Sequence, residues 1–149
     1  MLLNMSLTIR KVTPEDAEFM KFALRESTPL LEEDILSSVE MILVESLPGG
    51  DPVLIAEEDG ERVGVHLTVV NRRGMAYERG IATGYCTYVR PESRCMGVAT
   101  RLREESFKIL KQLGVKTVMG SVVVGNEAGL RSLLNTGTKI AAYVVVRHI

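Results

Sequence analysis

The residues best suited to chemistry in this chain of 149 residues lie in one short run that follows a proline. That run, residues 94–100, contains the small residues Gly97 and Ala99 and opens a stretch with the apolar spacing of an amphipathic helix. Small residues let a ligand approach the main chain, and the first turn of a helix offers unpaired N–H groups at the positive end of its dipole. The run therefore predicts an anion-binding cradle, most simply one for a pyrophosphate group.

Strands and helices must position this cradle, and the apolar patterns predict both. Alternating or β-branched runs predict strands at 7–12, 53–57, 62–70, 81–90, 115–124 and 140–148. Apolar residues at helical spacing predict helices at 14–24, between Pro29 and Pro48, from the cradle to Gly114, and at 126–135. The run 115–124 is nearly continuous in β-branched residues, which predicts a strand buried on both faces. The polar segment 72–80 predicts a loop. The fold class is α/β (α+β), with the cradle between the fourth strand and the third helix.

Composition and charge exclude several classes of protein. Apolar residues make up 46% and charged residues 25%, as in globular proteins, and a net charge of -1 gives no reason to expect a nucleic-acid partner. The longest apolar run, 140–146, is much shorter than a membrane span, and the N-terminus lacks the pattern of a signal peptide. We therefore expect a cytoplasmic protein without a membrane partner. Cys86 and Cys95 have neither disulfide-framework nor metal-site spacing, so we expect two reduced thiols and no bound metal.

The order of elements and the cradle resemble the GNAT-type N-acetyltransferase superfamily. In that family a segment RxxGxG/A follows a strand and a proline-containing turn, and Arg94, Gly97 and Ala99 match it in register. The resemblance covers residues 7–148 and implies a single domain over 1–149. It implies a mixed, mostly antiparallel sheet of about six strands, splayed between the fourth and the fifth, with about four flanking helices. It also implies acetyl-CoA as cosubstrate and transfer of its acetyl group to a primary amine of a small molecule or protein, by direct attack in a ternary complex.

The resemblance assigns roles to individual residues. Val89 matches the position whose backbone pairs with the pantetheine arm, and Thr87 and Tyr88 flank it. Asn126 matches an Asn at the start of a second CoA-binding helix. Leu133 stands where many members have a Tyr that protonates the departing CoA thiolate, so the general acid is not identified. The residues that match the pyrophosphate loop are Arg94, Cys95, Met96, Gly97, Val98, Ala99 and Thr100.

Two residues are candidates for assisting the reaction itself. Tyr85 shares its strand parity with Val89, and Glu57 on the second strand could feed a chain of waters to the amine. The alternative is that Tyr85 is a core residue and Glu57 a solvated strand end. His66 on the third strand is interpreted as a structural histidine rather than a base.

The C-terminal residues add a prediction about assembly. About a dozen residues follow Gly137, enough for one strand where members of the family have two. The run 139–146 is too apolar for a bare sheet edge, so we expect a homodimer in which a second subunit covers it. Two other functions stay open: an acyl-CoA-binding module without turnover, which Leu133 favours, and a structural or partner-binding domain without CoA.

Overall fold

Five strands and four helices follow one another in the computed structural model, which describes residues 6–72 and 80–149. The strands are β1 (Leu7–Lys11), β2 (Val53–Glu58), β3 (Glu61–Val70), β4 (Ile81–Val89) and β5 (Thr117–Gly120). The helices are α1 (Ala17–Ser27), α2 (Glu32–Met41), α3 (Val98–Gln112) and α4 (Glu127–Leu134). Short turns of 3₁₀-helix at Pro14–Asp16 and Pro91–Ser93 precede α1 and α3, and a π-helical turn at Ile42–Ser46 extends α2. The predicted loop at 72–80 lies mostly outside the described residues.

The strands form a single mixed sheet that opens between its fourth and fifth members. The order is β1-β2-β3-β4-β5, with antiparallel pairs except for the parallel pair of β4 and β5. β5 pairs only with residues 81–84 of β4. The rest of β4, residues 85–89, therefore has no β5 neighbour, which confirms the predicted splay.

The two faces of the sheet carry separate cores. On one face, β2 and β3 pack against apolar side chains of α1 and α2, among them Met20, Leu24, Ile35 and Val39. On the other face, β2 and β4 pack against Val98 and Leu102 of α3. Successive side chains of a strand point to opposite faces, so β4 contributes to both: Cys86 and Tyr88 lie in the first core and Val89 in the second.

A buried ion-pair cluster ties the N-terminal turn to the sheet. The carboxylate of Asp16 is fully buried and accepts two hydrogen bonds from Arg10, of 2.7 and 2.8 Å, and one of 2.6 Å from Arg62. The N–H of Thr13 also donates to it, at 2.7 Å. These donors hold the pKa of the Asp16 carboxyl well below its usual range, against the opposing effect of burial.

Two predictions about the C-terminal part of the chain were wrong. β5 is short and every residue of it is exposed, because it is the last strand of this sheet and nothing packs on its outer side in the part of the chain that the structure describes. Residues 140–148 form no strand and are exposed, with Tyr143 and Val145 each 90% accessible. The sheet thus has five strands where about six were expected.

No helix among the described residues has the length and apolar character required to cross a bilayer.

Candidate functional site

The open edge of β4 presents main-chain groups to the gap that β5 leaves. The N–H of Arg90 donates to the carbonyl oxygen of Val63 on β3, at 2.8 Å. In an antiparallel pair, alternate residues direct their N–H and C=O groups to opposite sides of the strand. The main-chain groups of Val89 and Thr87 therefore point away from β3, toward the side where β5 has ended. This edge can accept an extended ligand by strand-like hydrogen bonding.

The cradle follows this edge without interruption. After the turn at Pro91–Ser93, the Nε of Arg94 donates to the carbonyl oxygen of Val89 at 2.8 Å. Cys95 (φ 64°) and Gly97 (φ 83°) both adopt left-handed backbone conformations. The N–H of Arg101 donates to the carbonyl of Gly97 at 3.0 Å, so this is the first helical hydrogen bond of α3. The preceding N–H groups of the helix therefore have no carbonyl one turn earlier to bond with.

The space in front of the cradle suits an anion. A Cβ built on Gly97 would meet no atom within 4 Å, so the main chain is open to an approaching group. Cys95, Met96 and Thr100 are exposed beside it, whereas Val98 is buried and anchors the helix in the core. The first turn of α3 carries no acidic residue that would oppose the positive helix end. The residues present therefore fit a pyrophosphate.

Gly64 on β3 sets how closely the start of α3 packs against the sheet. A Cβ on Gly64 would lie 3.2 Å from a methyl of Val98 and 3.3 Å from one of Leu102. These contacts are tighter than ordinary van der Waals distances. The absence of a side chain on β3 thus lets the start of α3 lie directly against the sheet.

Beneath the open edge lies a buried layer of hydrogen-bonded polar side chains. His66 Nδ1 lies 2.8 Å from the hydroxyl of Thr87, and its Nε2 lies 3.0 Å from Ser106 Oγ and 2.8 Å from Thr68 Oγ1. Burial, with a smaller contribution from the charge of Arg103, lowers the pKa of His66 to about 4. The imidazole is therefore neutral near pH 7, which agrees with its interpretation as a structural histidine.

The sequence did not reveal this layer as a unit. Ser106 could have been noticed as a polar residue on the buried side of α3, between Leu102 and Leu110. Nothing local indicated that its hydroxyl would reach a histidine forty residues earlier in the chain. Arg103 and Ser132, which join α3 to α4 through a hydrogen bond of 2.9 Å, were missed for the same reason.

The predicted catalytic residues lie in different places. Tyr85 is 42% exposed and is the extra residue of a β-bulge in β4, because Leu67 pairs with Cys86 and Thr68 with Gly84. Glu57 accepts a hydrogen bond of 2.8 Å from Arg10, and its strand parity with Ile55 places it on the opposite face of the sheet. The structure therefore places Tyr85 on the strand that carries the predicted cofactor residues Thr87 to Val89 and leaves Glu57 in an ion pair.

The helix that was predicted to form a second CoA-binding element is α4, and it lies apart from the cores. Asn126 precedes α4, and its Oδ1 caps the helix by accepting from the N–H of Gly129 at 3.0 Å. No residue of α4 is buried, and Leu133 is partly exposed. In the described portions of the chain, no three side chains of the types that bind metals are grouped together.

Comparison with known proteins agrees with this architecture. The sequence profile of the acetyltransferase (GNAT) family matches residues 17–133. No curated protein shows a significant sequence match to the chain. Among solved structures, a transcriptional regulator from Bacillus halodurans C-125 is similar with a TM-score of 0.76 at 17% identity, over 96% of this chain and 99% of that chain.

Two further solved structures of similar fold contain CoA. The aminoglycoside N-acetyltransferase AAC(6')-Iy in complex with CoA has a TM-score of 0.74 at 16% identity, over 100% of this chain and 99% of that chain. The PaiA N-acetyltransferase from Thermoplasma acidophilum, in complex with coenzyme A, has a TM-score of 0.71 at 24% identity, over 92% of each chain. These likenesses concern the fold, whereas the profile match covers most of the sequence. The chain belongs to the acetyltransferase (GNAT) family.

Proposed function

We propose that the protein transfers the acetyl group of acetyl-CoA to a primary amine by direct attack in a ternary complex. The observation that carries this proposal is the continuity of two surfaces: the open edge of β4 at residues 85–89 and the cradle that begins five residues later. The edge suits the amide-bearing pantetheine arm, because its free main-chain groups alternate as in a sheet. The cradle suits the pyrophosphate.

Each part of the site has a distinct task in this proposal. The main-chain groups of Thr87 and the N–H of Val89 hold the arm, with Tyr88 between them, and the N–H groups of residues 94–100 hold the pyrophosphate. Asn126 and α4 lie on the side of the site opposite β4. Acetyl-CoA supplies an activated acyl group, so the main contribution of the protein is to align the amine with it. Of the two predicted catalytic side chains only Tyr85 lies on β4, and we assign it to the amine side of the reaction.

The acceptor is a primary amine of a small molecule or of a protein. Aminoglycosides are one class to test, because a solved structure of similar fold is an aminoglycoside N-acetyltransferase. A polyamine, free lysine and a peptide with an unblocked N-terminus cover the other chemical forms of a primary amine. We place the protein in the cytoplasm, where its free thiols at Cys86 and Cys95 stay reduced.

Two measurements test the proposed function in sequence. Thermal unfolding with acetyl-CoA should show a concentration-dependent rise in Tm, because a ligand that binds only the native state stabilises it. Release of free thiol should then depend on both acetyl-CoA and one of the amines. A protein without any rise in Tm is a structural domain without CoA, and the proposal fails.

One feature favours a second function, an acyl-CoA-binding module without turnover. Leu133 occupies the position at which many family members carry the Tyr that protonates the leaving thiolate, and leucine has no proton to give. This alternative predicts the same rise in Tm but no thiol release above the rate without protein, with any of the amines. The second measurement therefore separates the two functions.

We also propose that the protein is a homodimer in which a second copy covers the C-terminal segment. Residues 139–149 are exposed throughout, and several are large and apolar, including Tyr143, Val144 and Val145. The adjacent strand β5 is exposed as well. Such a surface is unusual for a monomer. Light scattering at micromolar concentration should give twice the mass of 16.4 kDa, and a monomeric mass would refute the proposal.

A further inference from the structure

A hydrogen bond between two helices marks a second functional group in this site. Nη1 of Arg103 on α3 donates to Oγ of Ser132 on α4, at 2.9 Å. A hydroxyl that accepts a hydrogen bond still has its own O–H to donate. The pair therefore presents a donor whose oxygen is already polarised by a positive charge.

Arg103 has no anionic partner among the described residues, in contrast to the four arginines that form the ion pairs of the fold. Arg10, Arg25, Arg62 and Arg72 each form an ion pair with a carboxylate. For Arg103 the described residues provide no carboxylate within 4 Å, although its side chain is partly buried. Burial lowers the pKa of Arg103, but a guanidinium remains charged near neutral pH. An uncompensated cation in a partly buried place is suited to a transient or bound negative charge.

The side chain of Arg103 leaves α3 on the side that faces the open edge of β4. Successive residues of a helix are about 100° apart, so Arg101 and Arg103 point to nearly opposite sides of α3. Arg101 reaches the carbonyl of Leu7 on β1, at 3.1 Å. Arg103 therefore points to the other side, toward α4 and the gap beside β4. Its charge also acts on His66, which contacts Thr87 on the open part of that strand.

We infer that the Arg103–Ser132 pair stabilises the thiolate of CoA as it leaves, an inference that rests on the proposed acetyl transfer. In that reaction the lone pair of the amine forms the new C–N bond to the acetyl carbon. The C–S bond then breaks, and its electron pair stays on sulfur. The surplus proton of the nitrogen passes to solvent, and Ser132 donates a hydrogen bond to the sulfur without losing its proton. The pair takes the place of the acid that Leu133 cannot supply.

The bound product gives a test that does not require turnover. The ultraviolet absorbance of the CoA thiolate is followed during a pH titration of the protein–CoA complex, with the complex of desulfo-CoA subtracted to remove the protein thiols. We expect the thiol pKa of CoA to be lower when bound to the wild type than when bound to Arg103→Gln, by about one pH unit. Arg101→Gln, two residues away on the opposite side of α3, is the matched control and should behave as the wild type.

The outcomes separate this inference from the proposed function. If CoA binds and its thiol titrates alike in the wild type and Arg103→Gln, the inference fails while acetyl-CoA binding stands. If CoA does not bind the wild type, the proposed function fails, and the inference with it. If Arg103→Gln weakens CoA binding more than tenfold and leaves the thiol pKa unchanged, Arg103 binds a phosphate of CoA, and the inference is again overturned.

Steady-state kinetics with an amine that the wild type accepts give an independent reading. We expect Ser132→Ala to lower kcat about 100-fold, as the loss of one charge-stabilising donor does, with little change in KM for acetyl-CoA. Ser132→Thr keeps a hydroxyl and should recover most of the rate. An equal kcat for Ser132→Ala and the wild type would overturn the inference, as would a drop that Ser132→Thr does not rescue.

Discussion

The side chain of Arg94 closes over the end of the strand that precedes it, since its Nε donates to the carbonyl oxygen of Val89 at 2.8 Å. Its guanidinium also lies 5.7 Å from the ring centre of Tyr88, a cation–π distance. The carbonyl of Val89 is thereby engaged within the protein, and its N–H is the group left toward the open edge. The strand edge and the anion cradle are thus held together by a side chain of the cradle itself.

The strained residue of the cradle gives the first prediction. Cys95 holds φ at 64°, a conformation that costs an L-residue about 1–2 kcal/mol but costs glycine little. Replacing Cys95 with glycine removes this cost, but part of the gain in stability is offset by the larger conformational entropy of glycine in the unfolded chain. We expect Cys95→Gly to raise the free energy of unfolding by about 0.5–1 kcal/mol in urea denaturation. Asp59→Gly, at φ 52° in the turn between β2 and β3, should gain less, because aspartate adopts this conformation more readily than cysteine does. A loss of stability in Cys95→Gly would show that the conformation is not strained.

Buried His66 predicts a fall in stability at mildly acidic pH. Its folded pKa of about 4 lies below the ordinary value of 6.5, so the folded protein binds this proton less readily than the unfolded chain does. The stabilisation is complete above about pH 6.5 and is lost progressively as the pH falls toward 4. We expect the free energy of unfolding to decrease by about 2 kcal/mol between pH 7 and pH 5, as urea denaturation at the two pH values would show.

Two variants isolate the contribution of that histidine. His66→Gln cannot take up the proton and should show a much smaller difference between pH 7 and pH 5. His148→Gln changes an exposed histidine near the C-terminus and should keep the full difference. A full pH dependence in His66→Gln would assign it to other groups.

The ion-pair cluster at Asp16 predicts a large stability effect at residues outside the cradle. Asp16→Asn leaves the charges of Arg10 and Arg62 without their shared buried partner. Because both arginines still reach water, we expect a loss of about 2–3 kcal/mol, less than for a fully buried pair. Glu18→Gln removes an exposed pair with Lys21 and should leave stability almost unchanged.

Protonation of Asp16 predicts a second loss of stability, at lower pH. The depressed pKa of Asp16 means that its contribution is present above its ordinary pKa of 3.8 and is lost as the pH falls below that value. This loss of stability occurs at lower pH than the loss that protonation of His66 causes.

Acetyl-CoA affinity at pH 7 should be the same in the wild type and Asp16→Asn. A large loss of affinity there would show that the cluster supports the cradle.

The cradle was predictable because its signals are local. A strand, a proline and a helix whose first residues include Gly97 follow one another within about a dozen positions, and each has a conformational preference of its own. The hairpin at Asp59 and Gly60 was predictable for the same reason, and both residues have positive φ. In these segments the apolar pattern and the turn residues both favour the structure that the chain adopts.

The C-terminal part was not predictable, because its structure depends on what lies beside it. The run 115–124 has the composition of a strand buried on both faces, yet burial requires neighbours, and among the described strands β5 pairs only with β4. Residues 140–148 have strand composition but pair with no strand in the part of the chain that the structure describes. The bond between Arg103 and Ser132 joins residues 29 positions apart, which no local pattern encodes.

The most direct test of the central claim, that residues 94–100 hold the pyrophosphate of acetyl-CoA, compares two glycines at the ends of α3. Gly97 (φ 83°) and Gly114 (φ 81°) share a backbone conformation, and a Cβ on either meets no protein atom within 4 Å. Gly97→Val and Gly114→Val should therefore lose similar stability, while a side chain on Gly97 alone would occupy the cradle. Calorimetric titration with acetyl-CoA should show wild-type affinity for Gly114→Val and no binding for Gly97→Val. Equal, wild-type affinity in both variants would contradict the account.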